Sequence, residues 1–307
     1  MSVEPHPFSL RQLQYIVRVA ERGSFRQAAE DCRVAQPSLS VQLGKVEEAL
    51  GVKLFERDRR RVMSTSAGKV FVERARKLLL EADALVEASR ALSDPFSGAL
   101  RVGVIPTVGP YLLPTAGSVL RAAFPKLVFE WVEERTAVLV EKLERGELDA
   151  AVVALEAELG DLSRVTLGKD PFVFAAPRGH RLASSARALE ADELKGEEVL
   201  LLDDGHCFRE QALAVCSRVR AEASDYRATS LQTLVQMVAG GAGVTLLPTL
   251  ALNVENRKRT LKIRRFAKKP PARTLGVVFR PGSARAVTLR GLTEKLREAF
   301  AKLVRAR

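Results

Sequence analysis

The stretch Ser24-Phe25-Arg26-Gln27-Ala28-Ala29-Glu30-Asp31-Cys32, then Arg33-Val34-Ala35, then Gln36-Pro37-Ser38-Leu39-Ser40, decides how the first part of the chain folds. A serine ahead of an apolar-patterned run is a natural N-cap, because its hydroxyl accepts from first-turn N–H groups that have no helical partner. Ser24 therefore opens a short helix from Phe25 to Cys32, and the small pair Ala28-Ala29 lets another helix approach closely. Pro37 suits the first turn of the next helix, where a missing N–H costs nothing. From there Leu39, Leu43, Val46 and Leu50 recur at helical spacing, and Gly51 ends the helix. Upstream, Leu10, Leu13, Val17 and Ala20 give an earlier helix its own stripe, stopped by Gly23. Three short helices with a tight turn between the second and third read as a helix-turn-helix.

The opposite face of the third helix carries Gln36, Ser38, Ser40, Gln42 and Lys45, with Pro37 among them. Short hydroxyls and amides near a helix N-terminus suit base edges and phosphates in a major groove. Lys53 to Arg61 then forms a basic hairpin, or wing, whose Arg57, Arg59, Arg60 and Arg61 would lie along phosphates and add affinity rather than sequence choice. Any small three-helix unit shows such a stripe, so the pattern alone leaves a purely structural role open.

The rest of the composition narrows the class. The chain has 307 residues and a formal net charge of +12, enough length for about two domains. The charge is uneven: residues 1–90 carry +4, residues 91–254 carry −6 and residues 255–307 carry +14. A basic N-terminal block is compatible with DNA, whereas the 257–269 stretch, with Arg257, Lys258, Arg259 and Lys262, receives no role. No run approaches the roughly 20 apolar residues of a membrane helix, and Met1 to Leu10 has no signal-segment pattern. The expectation is a cytoplasmic protein without membrane contact. Three cysteines make no disulfide scaffold in a reducing compartment, so a pair that oxidises there is a switch rather than a staple.

Phe71, Ala75, Leu78, Ala82, Leu85, Ser89 and Leu92 follow at alternating steps of four and three, the seam of a paired helix. A helix packing on its own domain could use the same stripe. Pairing fits better, because small residues alternate with large ones, and it would set two DNA-binding units on half-sites about 34 Å or a multiple apart. Ser93 to Gly98 breaks the helix. The expected domains are therefore a winged helix-turn-helix at 1–66, a linker helix at 67–97 and a sensor domain at 98–307.

After Gly98 strands and helices alternate, which argues for doubly wound α/β sheets. Strands are expected at Leu100–Ile105, Phe129–Glu134, Leu148–Leu155, Pro171–Ala176, Val199–Leu202, Tyr226–Thr229, Gly243–Leu247 and Thr274–Phe279. Helices are expected at Tyr111–Ala123, Ala137–Glu144, Phe208–Ala221 and Leu231–Ala239, with a last one from about Ala284. The chain is expected to leave a first lobe (98–170 and 273–307) near Asp170 and to return from a second (171–272) near Arg273. Ligands of such sheets bind beyond the carboxyl ends of strands. Thr107, Thr136, Cys207 and the Thr229-Ser230 pair fall there, although Thr136 also reads as an N-cap and Thr107 as a turn residue.

The cysteines carry the chemistry. Cys32 reads as core filler. Cys207 follows a strand and opens a helix beside His206 and Arg209, a setting expected to depress its pKa and give thiolate character. Thiolates attack hydroperoxides and become sulfenic acids. Cys216 lies nine residues on, so on one regular helix the two α-carbons are about 13 Å apart. A disulfide needs about 4.4–6.8 Å, and the pair could join only if the helix between them reorganised. Two inert buried thiols remain the plain alternative. A metal site on His206, Cys207 and Cys216 matches no common ligand spacing.

Ser24-Phe25-x-x-Ala28-Ala29, Gln36-Pro37-Ser38-Leu39-Ser40 and Leu50-Gly51-x-x-Leu54-Phe55-x-Arg57 together resemble the N-terminal domain of LysR-type transcriptional regulators. Met63-Ser64-Thr65, before Gly68, departs from that pattern in detail. Leu143-x-x-Gly146-x-Leu148-Asp149-x-Ala151-Val152 and Gly241-x-Gly243-Val244-x-Leu246-Leu247-Pro248 resemble hallmarks of the family's sensor domain, which has the two-lobed layout of type-two periplasmic-binding-like proteins. Leu202-Asp203-Asp204-Gly205-His206-Cys207-x-Arg209-x-Gln211-Ala212 with Cys216, Gly103 to Pro114, and Phe279 to Ser283 are similar to the peroxide-responsive members of the family. The resemblance runs from Leu10 past Ser283.

The resemblance implies a regulator that binds promoter DNA, senses hydrogen peroxide and activates oxidative-stress genes with RNA polymerase, as a homodimer pairing into a homotetramer. It implies that Cys207 reacts with peroxide and Cys216 resolves it as a disulfide. Thr107, Thr136, His206, Gln211 and Arg280 match positions that orient peroxide or support its reduction, although Arg135 and Ala137 around Thr136 depart from the pattern. No cofactor or metal is implied. Two other readings stay open: a LysR-type regulator answering a metabolite between its lobes, and a thiol peroxidase fused to a DNA-binding unit. Nothing resembles the reductase site that turnover by the latter needs, so the expectation is a non-enzyme.

Overall fold

The computed structural model describes residues 6–57, 62–91, 94–185 and 187–305. Two compact units divide the chain, Met1–Arg90 and Ala91–Arg307.

In the first unit α1 (Leu10–Arg22), α2 (Phe25–Asp31) and α3 (Gln36–Leu50) precede an antiparallel wing of β1 (Phe55–Arg57) and β2 (Val62–Ser64), and then α4 (Ser66–Ala91). Ser24 accepts from the Gln27 N–H to cap α2, and Pro37 sits in the first turn of α3. The buried side of α3 is Leu39, Leu43 and Val46. The stripe expected on α1 is turned: Leu10 is exposed, and Ile16 and Val19 are fully buried because α2 and α3 flank the helix. Cys32 is the C-cap of α2 rather than part of it.

Glu47 is a buried carboxylate that the sequence did not single out. It accepts the N–H groups of Leu54 (2.8 Å) and Phe55 (3.2 Å) and pairs with Lys53 Nζ (2.9 Å), fastening the start of the wing to α3. Burial alone would raise its pKa. The Lys53 bond and charge and the two amides outweigh burial and hold the carboxyl below the ordinary glutamate range. Arg59, Arg60 and Arg61 lie outside the described residues, and Arg57 is described only as the end of β1. On α4, Val72 and Ala75 pack into the N-terminal core, and Phe71 meets Phe8 edge-on at 5.7 Å. Further along, Leu78 is 51% and Leu85 75% exposed. The Ser89 side chain and Leu92, at the end of that seam, lie outside the described residues.

The second unit runs β3 (Gly98–Val104), α5 (Gly109–Ala123), β4 (Leu127–Glu133), α6 (Thr136–Glu144), β5 (Ala150–Ala154), β6 (Ser163–Pro177), β7 (Glu198–Leu202), α7 (Cys207–Val219), β8 (Glu222–Ala228), α8 (Leu231–Ala239), β9 (Thr245–Pro248), α9 (Leu252–Glu255), β10 (Leu261–Arg264), β11 (Ala272–Phe279) and α10 (Ala286–Arg305). The strand order is β10-β6-β11-β5-β3-β4, with β9 also on β6, while β7 and β8 form a parallel pair. Strand β6 pairs with β11 up to Pro171 and with β9 and β10 from Phe172 onward, so one strand serves both lobes.

The long β6 begins eight residues before the expected Pro171, and β10 was not expected at all. Both are studded with charge in sequence. In β10, Arg264 is buried because Glu193 and the carbonyls of Leu182, Arg187 and Ala188 take its guanidinium. The element therefore lies inside the stretch that composition alone left without a role.

Replacing Glu47 with Ala should leave two buried N–H groups unpaired and destabilise the N-terminal unit by about 2–4 kcal/mol, read by urea unfolding of that unit. Because the folded pKa of Glu47 lies below its unfolded value, its contribution is present above the ordinary glutamate pKa and lost as pH falls through the folded one. The wild-type advantage over Glu47→Ala should shrink across that acid range.

Candidate functional site

The site is built where β7 hands over to α7. Asp203 to His206 form the turn, and Gly205 takes a left-handed φ of +85°, which side-chain-bearing residues rarely adopt. His206 is the N-cap residue and Cys207 the first helical residue of α7. Phe208, fully buried, meets Phe172 edge-on at 5.0 Å and anchors the first turn in the core.

Facing this turn are Thr136, at the start of α6, and Thr107, after β3. Both threonines are buried. The Thr107 hydroxyl accepts from Arg273 Nη1 at 2.6 Å and its carbonyl from Nη2 at 2.9 Å. Arg273 is fully buried, pairs with Asp170 at 3.0 Å and lies over the Phe208 ring at 5.6 Å. Asp170 and Arg273 are cross-strand partners on β6 and β11. The Asp170 carboxylate also accepts the Leu250 N–H at 2.9 Å.

The electrostatics correct the expectation of a depressed thiol. Burial pushes the Cys207 pKa above the ordinary thiol value; Arg273, Thr136 and the Phe208 N–H pull the other way without overcoming it. Cys207 is largely buried, with part of the residue's surface still open. His206 supplies no cation: burial, then the charge of Arg135, lower its pKa below the ordinary histidine value, against Asp203 and a bond to the Thr229 carbonyl. Arg209 points elsewhere, to Asp204 at 2.9 Å and the Leu202 carbonyl at 3.0 Å.

Two buried side-chain oxygens have no hydrogen-bond partner, Thr136 Oγ1 and Gln211 Oε1. The Thr136 hydroxyl lies beside the sulfur and favours the thiolate, in a geometry short of a regular hydrogen bond. Gln211, one helical turn after Cys207, donates its Nε2 to Glu156 at 3.4 Å. Arg280 is not gathered with these groups. Its Nη1 donates to the carbonyls of Leu143 and Leu148, at the far end of α6 from Thr136. The arginine beside the thiol is Arg273, which the sequence reading treated only as a crossover point. No signal in the sequence separated it from Arg280, since the two arginines flank the same apolar run, Leu275 to Phe279.

Cys216 is buried in the last part of α7, and desolvation pushes its pKa up to about 11. All three cysteines are free. With Cys207 and Cys216 on one continuous α7, their α-carbons are about 13 Å apart and their side chains face roughly opposite sides of the helix. Adjacent to the turn, a cleft of about 590 Å3 is lined by Thr107, Tyr111, His206, Ser230, Arg257 and Lys258 among others. Tyr111 on α5 spans to Glu255 on α9 with a 2.7 Å hydrogen bond. In the first unit, Gln36, Pro37 and Ser38 are exposed on α3, as are Lys45 and the overlooked Val41. Ser40 is partly covered, and Gln42 is partly covered and engaged by Gln12 at 3.0 Å.

Residues 10–69 match the bacterial regulatory helix-turn-helix model of the lysR family, and residues 93–301 match the LysR substrate binding domain. The chain belongs to the LysR family of bacterial regulators. Within it, the chain is 42% identical over 293 residues to the DNA-binding transcriptional dual regulator OxyR of Escherichia coli K12, covering 95% of this chain and 94% of that one. The full-length Pseudomonas aeruginosa OxyR, solved as a cysteine-to-aspartate variant, superimposes with a TM-score of 0.77 at 33% identity, covering 95% of this chain and 96% of that one. A hydrogen peroxide-bound cysteine-to-serine variant of Corynebacterium glutamicum OxyR does so with a TM-score of 0.67 at 33% identity, covering 98% and 95%.

The rate of Cys207 alkylation should rise with pH to a midpoint above that of an ordinary thiol, followed by iodoacetamide labelling and peptide mass mapping. Replacing Arg273 with Met should move that midpoint further up, since it removes the cation favouring the thiolate. The same variant leaves Asp170 buried and unpaired and should cost about 3–5 kcal/mol of stability in thermal unfolding.

Proposed function

We propose that this regulator senses hydrogen peroxide through Cys207 and passes the signal on by forming a disulfide with Cys216. The observation that carries this reading is the buried, partnerless hydroxyl of Thr136 beside the Cys207 thiol, with a second partnerless oxygen on Gln211 one turn along α7. Such groups are costly to leave unpaired, and a small polar molecule offering both donors and acceptors satisfies them. Hydrogen peroxide is of that size and kind.

In the first step the Cys207 thiolate attacks one oxygen of the peroxide. The O–O bond breaks, sulfur is oxidised to the sulfenic acid, and the departing hydroxide takes up a proton to become water. Since burial leaves little thiolate at neutral pH, the rate must come from how the peroxide is held. The Thr107 and Thr136 hydroxyls can donate to it, and the Arg273 charge stabilises negative charge shifting to the leaving oxygen. His206, neutral and bonded to Thr229, orients the turn. In the second step the Cys216 sulfur bonds to that of Cys207 as the S–O bond breaks, and water leaves. This demands that α7 unwind, and the refolded segment is what the rest of the assembly reads.

The regulator acts on double-stranded promoter DNA in the cytoplasm, with α3 in the major groove through Gln36, Pro37, Ser38, Ser40 and Gln42, and the wing arginines on phosphates. Exposed Leu78 and Leu85 on α4 support a homodimer paired along that helix, with dimers joining into a tetramer that engages RNA polymerase. The protein is a stoichiometric sensor rather than a turnover enzyme. The cleft beside His206 supports a second reading, in which an anionic metabolite binds against Arg257 and Lys258 and the cysteines are incidental.

Dilute hydrogen peroxide should convert the reduced protein to the Cys207–Cys216 disulfide, read by thiol trapping and peptide mapping. Both thiols staying alkylatable while promoter output still responds would favour the metabolite reading. Cys207→Ser should abolish the peroxide response and keep operator binding in a gel shift.

A further inference from the structure

Two ties between the lobes bracket Cys207. Before it, Arg135, the residue preceding α6, lays its guanidinium against Gly205. A Cβ at Gly205 would sit 3.0 Å from Arg135 Nη1 and 3.2 Å from its Cδ, and Nη2 lies 3.9 Å from Asp203 Oδ2. After it, Gln211 Nε2 donates to Glu156 Oε2 at 3.4 Å, and Glu156 is itself fixed by accepting the Thr274 N–H at 2.7 Å, one residue beyond Arg273. Arg135 and Glu156 belong to the first lobe, and the residues they hold belong to the second. The reactive turn is thus gripped on both sides by groups that do not touch the sulfur.

We propose that Arg135 and Glu156 are positioning residues that hold the first turn of α7 on the first lobe, and thereby set how readily oxidised Cys207 leaves for Cys216. The proposal rests on the disulfide reading given above. Disulfide formation joins the two sulfurs, breaks the S–O bond of the sulfenic acid and releases water using the Cys216 proton. It needs α7 to unwind, and both ties exist only while the turn keeps its helical place. They therefore favour the reduced form and oppose the second step, leaving the first alone. Each is weak: the Arg135–Asp203 pair is long and nearly half exposed, and such pairs shift an equilibrium by a few-fold at most. Weak ties suit a segment that has to let go.

The test uses the full-length protein with Arg135→Ala, Arg135→Lys and Glu156→Ala. At peroxide concentrations that make the first step fast, disulfide formation should accelerate roughly threefold in each alanine variant. Arg135→Lys, which keeps the charge but not the flat contact on Gly205, should fall between. Sulfenic acid formation at Cys207, trapped in a Cys216→Ser background, should be unchanged in Arg135→Ala. In reduced protein without peroxide, amides of residues 203–212 should exchange hydrogen about threefold faster than in wild type. A threefold gain in the equilibrium would move the midpoint potential about 14 mV lower. Unchanged exchange together with an unchanged disulfide rate overturns the proposal, as does an equal loss in sulfenic acid formation, which would place Arg135 in the peroxide reaction itself. If wild-type protein forms no Cys207–Cys216 disulfide at all, the underlying reading fails, and that failure is distinguishable because the exchange measurement involves no oxidant.

Discussion

The buried pair of Arg273 with Asp170 is the interaction on which the sensing unit depends. The two residues face each other where β6 and β11 pass between the lobes, so the junction of the fold is also its most desolvated charge site. A lone charge at that depth would be prohibitive. Pairing, the Leu250 N–H on the carboxylate, and two bonds from the guanidinium to Thr107 make it tolerable. The arrangement then does chemistry without moving: the guanidinium that closes the junction also lies over Phe208 and sends its field to the neighbouring thiol.

That field is opposed by burial, and burial prevails. Burial therefore holds the Cys207 pKa above the ordinary thiol value, and thiolate character and access together govern how readily such a group oxidises. Cys216 is protected more strongly still, and it faces the opposite side of α7. Helical geometry keeps the two sulfurs from meeting while α7 is intact.

In the DNA-binding unit the same economy appears at Glu47, one carboxylate that joins recognition helix and wing. The sequence made α2 and α3 readable because their caps and apolar periods are local properties of consecutive residues. Glu47 was not readable in that way, because what buries it is a wing seven and eight residues further on. The first half of β6 and all of β10 were hidden for a related reason, since Asp170 and Arg264 look like loop residues until Arg273 and Glu193, from distant segments, neutralise them.

The sequence by itself determined the helix-turn-helix, the α/β order of the second unit, and the nine-residue spacing of Cys207 and Cys216, because periodicity, capping and spacing are written in neighbouring residues. Tertiary structure alone decided that Arg273, not Arg280, stands at the thiol, that the Cys207 pKa is raised rather than lowered, and that Arg209 turns to Asp204. Those outcomes depend on desolvation and on charges brought together from segments far apart in the chain. Neither quantity exists until the lobes have closed around the site.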